Sequence, residues 1–238
     1  MTSRQPVASR NRISARGRFA SRAVAALLLL LAACDTGRGN PLVSFDARCA
    51  QLPVSRFAIV TVPLTYVEDG AQSIDELTVR GGNTPATHTT FGLTTVSFGH
   101  QTDIELKVVE DAAGERACGT ASVRVALSMQ PVTVYVAREL GRTPCARNAT
   151  FAHELKHVAV FRDVLSEAAR DLETDLADAI GTGQRRAPNR HALERTFNAE
   201  LSAYLSEFLA QWRQQMNARQ DAVDSPEEHE RTATACRP

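Results

Sequence analysis

The stretch that decides the fold is residues 149–179, which read ATFAHELKHVAVFRDVLSEAARDLETDLADA. Apolar residues recur along it at steps of three and four, the spacing of one face of an α-helix. They are Leu155, Val158, Phe161, Leu165, Ala169, Leu172 and Leu176. Gly181 and Gly183 follow and are typical of a helix end. The pattern therefore predicts one long helix over 149–179 with a single side facing a core.

A second helical pattern begins at Pro188, a residue that is common in the first turn of a helix. It extends to about residue 222 with another apolar face. The members of that face are Leu193, Phe197, Leu201, Tyr204, Phe208 and Trp212.

The residues before these helices favour β-strands, because they are β-branched or alternate with period two. The predicted strand segments are 57–67, 87–98, 104–108, 122–127 and 132–136. Strands followed by helices are typical of the α+β class. We therefore predict an antiparallel strand-rich half (56–140) packed on two long C-terminal helices (145–238), the first of which carries the motif described below.

The N-terminal 34 residues differ in composition from the rest of the chain. They contain six arginines and no Asp or Glu, and an apolar run from Ala23 to Leu31 leads to Ala32, Ala33 and Cys34. This is the pattern of an export signal, and the run is shorter than the roughly 20 residues of a spanning helix. Its end resembles the lipobox of bacterial lipoproteins, which implies cleavage before a lipidated Cys34. A plain signal peptide or an uncleaved anchor is the alternative.

On that interpretation residues 35–55 are a polar tether, and the protein is lipid-anchored in the bacterial cell envelope. The whole chain has 27 basic and 27 acidic residues, but removing the six arginines leaves 21 against 27, a net charge of −6. This acidic balance excludes a general nucleic-acid binder.

Four cysteines remain after Cys34, namely Cys49, Cys118, Cys145 and Cys236. An even number in an exported chain predicts two disulfides, and the count alone leaves three connectivities open. No Cys-x-x-Cys pair occurs, which argues against a cysteine zinc site.

The first long helix contains His153-Glu154-Leu155-Lys156-His157, a His-Glu-x-x-His motif. Residues four apart lie on the same helix face, so the two imidazoles can bind one metal ion. Glu154 lies beside them, where it can take a proton from a water molecule at the metal. The motif predicts Zn²⁺ and hydrolytic chemistry. The alternative is a solvated helix that happens to carry two histidines.

A catalytic zinc site needs a third protein ligand. The downstream candidates are His191, Glu194, Glu200 and Glu207. Glu200 lies three residues after Phe197, in the apolar stripe, where a carboxylate needs a partner such as a metal ion. We therefore predict Glu200 as the third ligand. Glu207 shares its face and is the rival, and pairing of Glu200 with an arginine is the alternative without metal.

These residues resemble the zincin superfamily in its Glu-ligand branch, the gluzincins. Tyr204 stands where that branch usually has an Asp. Residues 135–145, the His-Glu motif and residues 224–236 together are similar to an uncharacterised group of predicted secreted bacterial zinc-dependent proteases. The resemblance covers about residues 130–238.

The resemblance implies a peptidase in which a strand edge beside the motif helix pairs with an extended substrate, with Val132–Val136 as that edge. It also implies a Cys145–Cys236 disulfide, which leaves Cys49–Cys118. A phenol of Tyr135 or Tyr204 could stabilise an oxyanion, with a packing role as the alternative for each.

We therefore predict a membrane-anchored zinc peptidase that hydrolyses peptide or protein substrates with Glu154 as general base. The alternative is a non-catalytic envelope lipoprotein with a structural or vestigial metal site that binds a partner. A metal-carrier role is a third possibility.

Overall fold

The computed structural model describes residues 43–86 and 88–236. The helices are α1 (Phe45–Ala50), α2 (Ile74–Arg80), α3 (Pro144–Ile180), α4 (Arg190–Val223) and α5 (Pro226–Thr234), with a 3-10 helix at Arg138–Arg142. The strands are β1 (Arg56–Thr61), β2 (Tyr66–Asp69), β3 (Gly92–Glu110), β4 (Ala117–Val136) and β5 (Arg185–Ala187). The predicted signal peptide and Cys34 lie outside the described residues.

All five strands are joined through β4, which pairs with each of the others. β3 runs antiparallel to β4 over its whole length. The other three strands therefore share the opposite side of β4, with β1 and β2 parallel to it and β5 antiparallel. The α+β class is confirmed, but the sheet is mixed, so the expectation of a purely antiparallel half is wrong.

The predicted strand segments are pieces of longer strands. Segments 104–108 and most of 87–98 belong to β3, while 122–127 and 132–136 both belong to β4. The 57–67 segment is divided into β1 and β2 around Pro63. Val132–Val136 is not an edge, because β2 pairs with it on one side and β3 on the other. Its predicted role as the substrate-binding edge is therefore wrong.

α3 and α4 form an antiparallel pair that packs against β4, and the core lies between these three elements. Its fully buried members include Val125, Leu127 and Val134 of β4, Val158, Leu172 and Leu176 of α3, and Phe197 and Leu201 of α4. Burial of each large apolar side chain stabilises the fold by about 1.5–3 kcal/mol. The antiparallel arrangement places the beginning of α3 beside the end of α4, and the candidate site lies there.

Two disulfides fasten the ends of the described chain. Cys49–Cys118 joins α1 to β4, and Cys145–Cys236 joins the first turn of α3 to the residues after α5. Both predicted pairings are confirmed. Phe45 and Cys49 are buried, so α1 belongs to the folded domain although the tether was expected to extend to residue 55. No described helix is both long enough and apolar enough to cross a membrane.

Candidate metal centre

The three motif side chains lie together in the N-terminal half of α3. His153, Glu154 and His157 are buried, with exposed fractions of 8%, 4% and 8%. His153 and His157 lie one turn apart and share a side of α3, whereas Glu154 is the next residue after His153 and is turned from it by about 100°. Ionisable groups are rarely buried without partners, so these contacts decide what the site can do.

Asp224, the residue that caps the C-terminal end of α4, faces both histidines. Its Oδ1 atom lies 3.2 Å from Nε2 of His153 and 3.1 Å from Nε2 of His157. Two ligand atoms that are each 2.0–2.1 Å from a tetrahedral zinc ion lie roughly 3.4 Å apart. The separations and the chemistry of this donor set therefore fit a metal ion.

The other ring nitrogen of each histidine has its own partner. Nδ1 of His157 contacts Oε1 of Gln220, whose Nε2 donates to the His157 carbonyl oxygen at 3.2 Å. Nδ1 of His153 lies 3.5 Å from Oε1 of Glu228. An oxygen acceptor at Nδ1 favours the tautomer with its proton there and leaves the Nε2 lone pair for a metal. Lys156 and Arg231 both pair with Glu228 and hold it beside His153.

Glu154 points towards the sheet, on the side of α3 that contacts β3. Its Oε2 accepts a hydrogen bond of 2.8 Å from the Thr94 hydroxyl. Its Oε1 would lie only 2.5 Å from a Cβ atom added to Gly92, so the carboxylate occupies space that only glycine leaves open. Burial raises the pKa of Glu154, although the charges of His157 and His153 and the Thr94 hydrogen bond oppose the shift.

His157 and Asp224 shift each other's protonation. Burial alone would lower the pKa of His157, but its hydrogen bonds to Asp224 and Gln220 and the charge of Glu154 outweigh burial and raise it. Burial alone would raise the pKa of Asp224, but hydrogen bonds to His153 and His157 hold it well below its usual range. Both pKa shifts favour the charged form of the group, as expected for an imidazole that faces a carboxylate.

Two groups of donors among the described residues could hold a metal ion. One consists of His153, Glu154 and His157, and the other of His153, Asp224 and His229. Within each group, one ligand atom from every residue lies within 4.8 Å of the others. The groups share His153, and Asp224 Oδ1 also lies 3.1 Å from Nε2 of His157, so these donors are adjacent at the junction of α3, α4 and α5.

The structure does not bring Glu200 to this centre, so its prediction as third ligand is wrong. Glu200 is exposed and pairs with Arg185, which also donates to the Ile180 carbonyl oxygen. Ile180 ends α3, roughly 35 Å from His157 at 1.5 Å of rise per residue. Pairing of Glu200 with an arginine, the alternative to metal binding, is therefore what the structure shows. Glu207 is also exposed on α4, roughly 20 Å along that helix from Gln220.

The two tyrosines also lie away from the centre. Tyr135 is buried with Leu77 and Ala137. Because Val134 packs against α3 and side chains alternate along a strand, Tyr135 faces the other side of the sheet. Tyr204 stacks on Phe208 with ring centres 6.2 Å apart, roughly 24 Å from Gln220 along α4. Both are packing residues, so the oxyanion role is wrong for each.

Sequence reasoning did not identify Asp224, Gln220 or Glu228 as parts of the centre. One local signal was available, because Ser225-Pro226 is a typical start of a new helix and marks Asp224 as the end of α4. An antiparallel pair of helices then places that carboxylate opposite the start of α3. Thr94 had no such signal, since its contact with Glu154 joins residues 60 positions apart.

Comparison of the chain with protein-family models, with curated proteins and with solved structures finds no match.

Proposed function

We propose that this protein is a zinc-dependent peptidase held at the bacterial cell envelope by a lipid on Cys34. One observation carries the catalytic part of the proposal. Two buried imidazole nitrogens face the same Asp224 oxygen, and an oxygen of the buried Glu154 carboxylate lies within 4.8 Å of a ring nitrogen of each histidine. Neutral imidazole and carboxylate ligands of this kind are those of catalytic zinc sites.

His153, His157 and Asp224 are the residues that would hold the ion. When bound there, zinc supplies Lewis acidity, which polarises a substrate carbonyl and makes a water molecule more acidic. Gln220 and Glu228 orient the two imidazoles through contacts to their Nδ1 atoms. Mutation of residues in such positions commonly lowers metal affinity by 10–100-fold.

Glu154 is the general base. It accepts a proton from the attacking water as the new C–O bond forms, and it passes a proton to the amine nitrogen as the C–N bond breaks. Burial raises its pKa, which suits a group that must both accept and release a proton near neutral pH. The Thr94 hydroxyl keeps the carboxylate in place through Oε2.

The position of β3 supports an extended peptide as substrate. Gly92 and Thr94 at its N-terminal end contact Glu154. β3 pairs with β4 on one side, and no other described strand pairs with it. A peptide that adds to this free edge gains main-chain hydrogen bonds and lies next to the general base. β3 thus takes the role that the sequence had suggested for Val132–Val136.

The catalytic proposal is tested with protein purified without chelators, as wild type, Glu154→Gln and Glu173→Gln. Glu173 is exposed on the same helix and is the matched control. All three should bind zinc, and Glu154→Gln should lose about 10²–10⁴-fold of peptide hydrolysis across a broad peptide library. Bound zinc without hydrolysis in the wild type would favour a non-catalytic, partner-binding lipoprotein. Absence of zinc from the wild type would refute the metal centre itself.

The anchoring proposal rests on residues 1–34 and has its own test. Cys34→Ala should move the protein from the membrane fraction to the soluble fraction of a bacterial host and abolish incorporation of labelled fatty acid. Cys34 is the only cysteine outside the two disulfide pairs. Persistence of both signals in Cys34→Ala would show that the anchor is not a lipid on this residue.

A further inference from the structure

We infer that His229 of α5 is a fourth metal donor that closes the centre in the resting protein, so that α5 must move before water and substrate can enter. The inference rests on the proposed zinc site and adds a resting state to it. A zinc ion with four protein ligands has no open position, whereas catalysis requires one. Displacement of His229 would convert the closed, four-ligand form into the open form that catalysis requires.

The first support is that three imidazole nitrogens approach one oxygen of Asp224. Nε2 of His229 lies 3.6 Å from Oδ1 of Asp224, the same oxygen that faces His153 and His157. The ring centres of His229 and His153 are 5.8 Å apart. His229 thus approaches the shared oxygen from a third direction, and three imidazoles surround one carboxylate.

The second support is the difference in exposure among the three histidines. The side chain of His229 is 57% exposed, compared with 9% for His153 and 11% for His157. The two motif histidines are held inside the fold, while His229 covers the centre from the solvent side. It is therefore the donor that can leave without disturbing the core.

The third support is the way in which α5 is attached. None of its residues is buried, so apolar packing contributes little to holding it, and segments of this kind open at low free energy. It is attached instead by Glu228, which contacts Lys156 and His153, and by the nearby Cys145–Cys236 disulfide. The disulfide keeps α5 near the centre while leaving the helix free to tilt.

An ordinary surface ion pair between His229 and Asp224 is the competing explanation, and it makes a different prediction. A surface pair contributes little to affinity or stability, so its loss would leave metal binding unchanged. Loss of a metal donor would instead weaken binding and alter the spectrum of a coloured metal ion.

The experiment compares wild type, His229→Asn and the control His88→Asn, which changes an exposed histidine in the loop before β3. Zinc affinity is measured by competition with a chelator, and coordination by the visible absorption of the Co²⁺-substituted protein. We expect His229→Asn to bind zinc about tenfold or more weakly, as for other residues that support a metal site, and to change the Co²⁺ bands. Its kcat for peptide hydrolysis at saturating zinc should rise.

An unchanged zinc affinity and Co²⁺ spectrum in His229→Asn would overturn the inference. A lower kcat with unchanged zinc affinity would also overturn it, because that result would indicate that His229 contacts the substrate. Failure of the proposed function is recognised separately in the wild type, which would then bind no zinc or would bind zinc without hydrolysing peptides. If the wild type binds zinc and His229→Asn is identical to it, only the role of His229 is refuted.

Discussion

Replacement of Gly92 by Ala should displace the Glu154 carboxylate and stop hydrolysis while leaving the metal ligands in place. A Cβ atom at Gly92 would lie 2.5 Å from Oε1 and 2.9 Å from Cγ of Glu154, and 2.6 Å from Cγ2 of Thr150. Gly92 does not have the positive φ that favours glycine, so the effect of Ala there is steric. No atom of His153 or His157 is among the three heavy atoms nearest to the added Cβ.

The size of the effect follows from these distances. The Oε1 contact is about 0.9 Å shorter than the 3.4 Å at which ordinary van der Waals contact begins, so the carboxylate must move by nearly 1 Å. A misplacement of about 1 Å costs roughly 100-fold in rate, and overpacking of this kind typically costs 1–3 kcal/mol in stability. We therefore expect Gly92→Ala to fold, to bind zinc as the wild type does and to hydrolyse peptides about 100-fold more slowly.

Gly99→Ala is the matched control on the same strand, because its added Cβ would meet only Ser128 Oγ, at 3.5 Å. The assay measures kcat, zinc affinity and Tm for both variants. A folded Gly92→Ala protein with the wild-type kcat would refute the assignment of Glu154 as general base in this position. If Gly92→Ala does not fold, Thr94→Val tests the same assignment, because it removes the hydroxyl that donates to Oε2 of Glu154. Thr94→Val should also lower kcat, with little change in zinc affinity.

Three further predictions concern the metal ligands and their supports. Asp224→Asn should weaken zinc binding at least tenfold in a chelator competition, whereas Glu200→Gln should not, and the reverse result would restore the ligand expected from the sequence. In metal-free protein the pKa of His157 is higher in the folded state than in the unfolded state. Protonated His157 therefore stabilises the fold fully below about pH 6.5, and this stabilisation is lost as the pH rises through the folded-state pKa. The Tm should therefore fall above pH 6.5 in the wild type by more than in His157→Asn, and equal pH profiles would contradict the coupling. Replacement of both Cys145 and Cys236 by Ser should lower zinc affinity by releasing α5, as measured by the same competition, and an unchanged affinity would show that α5 is held without the disulfide.

Several features of this protein were accessible from sequence because they depend on residues close together in the chain. The spacing of His153 and His157 and the amphipathic pattern around them predict both the helix and the metal chemistry, since helix geometry alone sets which residues share a face. The end of α3 is likewise marked by Gly181, which has a positive φ. The observed helix extends one residue further at its end, to Ile180, and five residues further at its start, where Pro144 occupies the first position.

The sheet was predicted less well, because an alternating pattern reports that a strand exists but not which strand pairs with it or in which direction. Val132–Val136 has the composition of any half-buried strand, and its place in the middle of the sheet is decided by β2 and β3 on its two sides. Direction is decided by the connections between strands. β1 and β2 run parallel to β4, and both α2 and the long β3 lie between β2 and β4 in the chain.

The candidate third ligand shows most clearly which features depend on local sequence and which depend on tertiary packing. On a helical wheel Glu200 falls near the apolar face, but Leu201 and Leu205 are the residues buried there, and Glu200 pairs with Arg185 at the far end of α3. Sequence alone determined the two histidines with the glutamate beside them and the even set of cysteines, because these depend on local spacing and residue type. Only the tertiary structure decided that Asp224 faces both histidines, because the antiparallel packing of two long helices sets which end of α4 lies beside the motif.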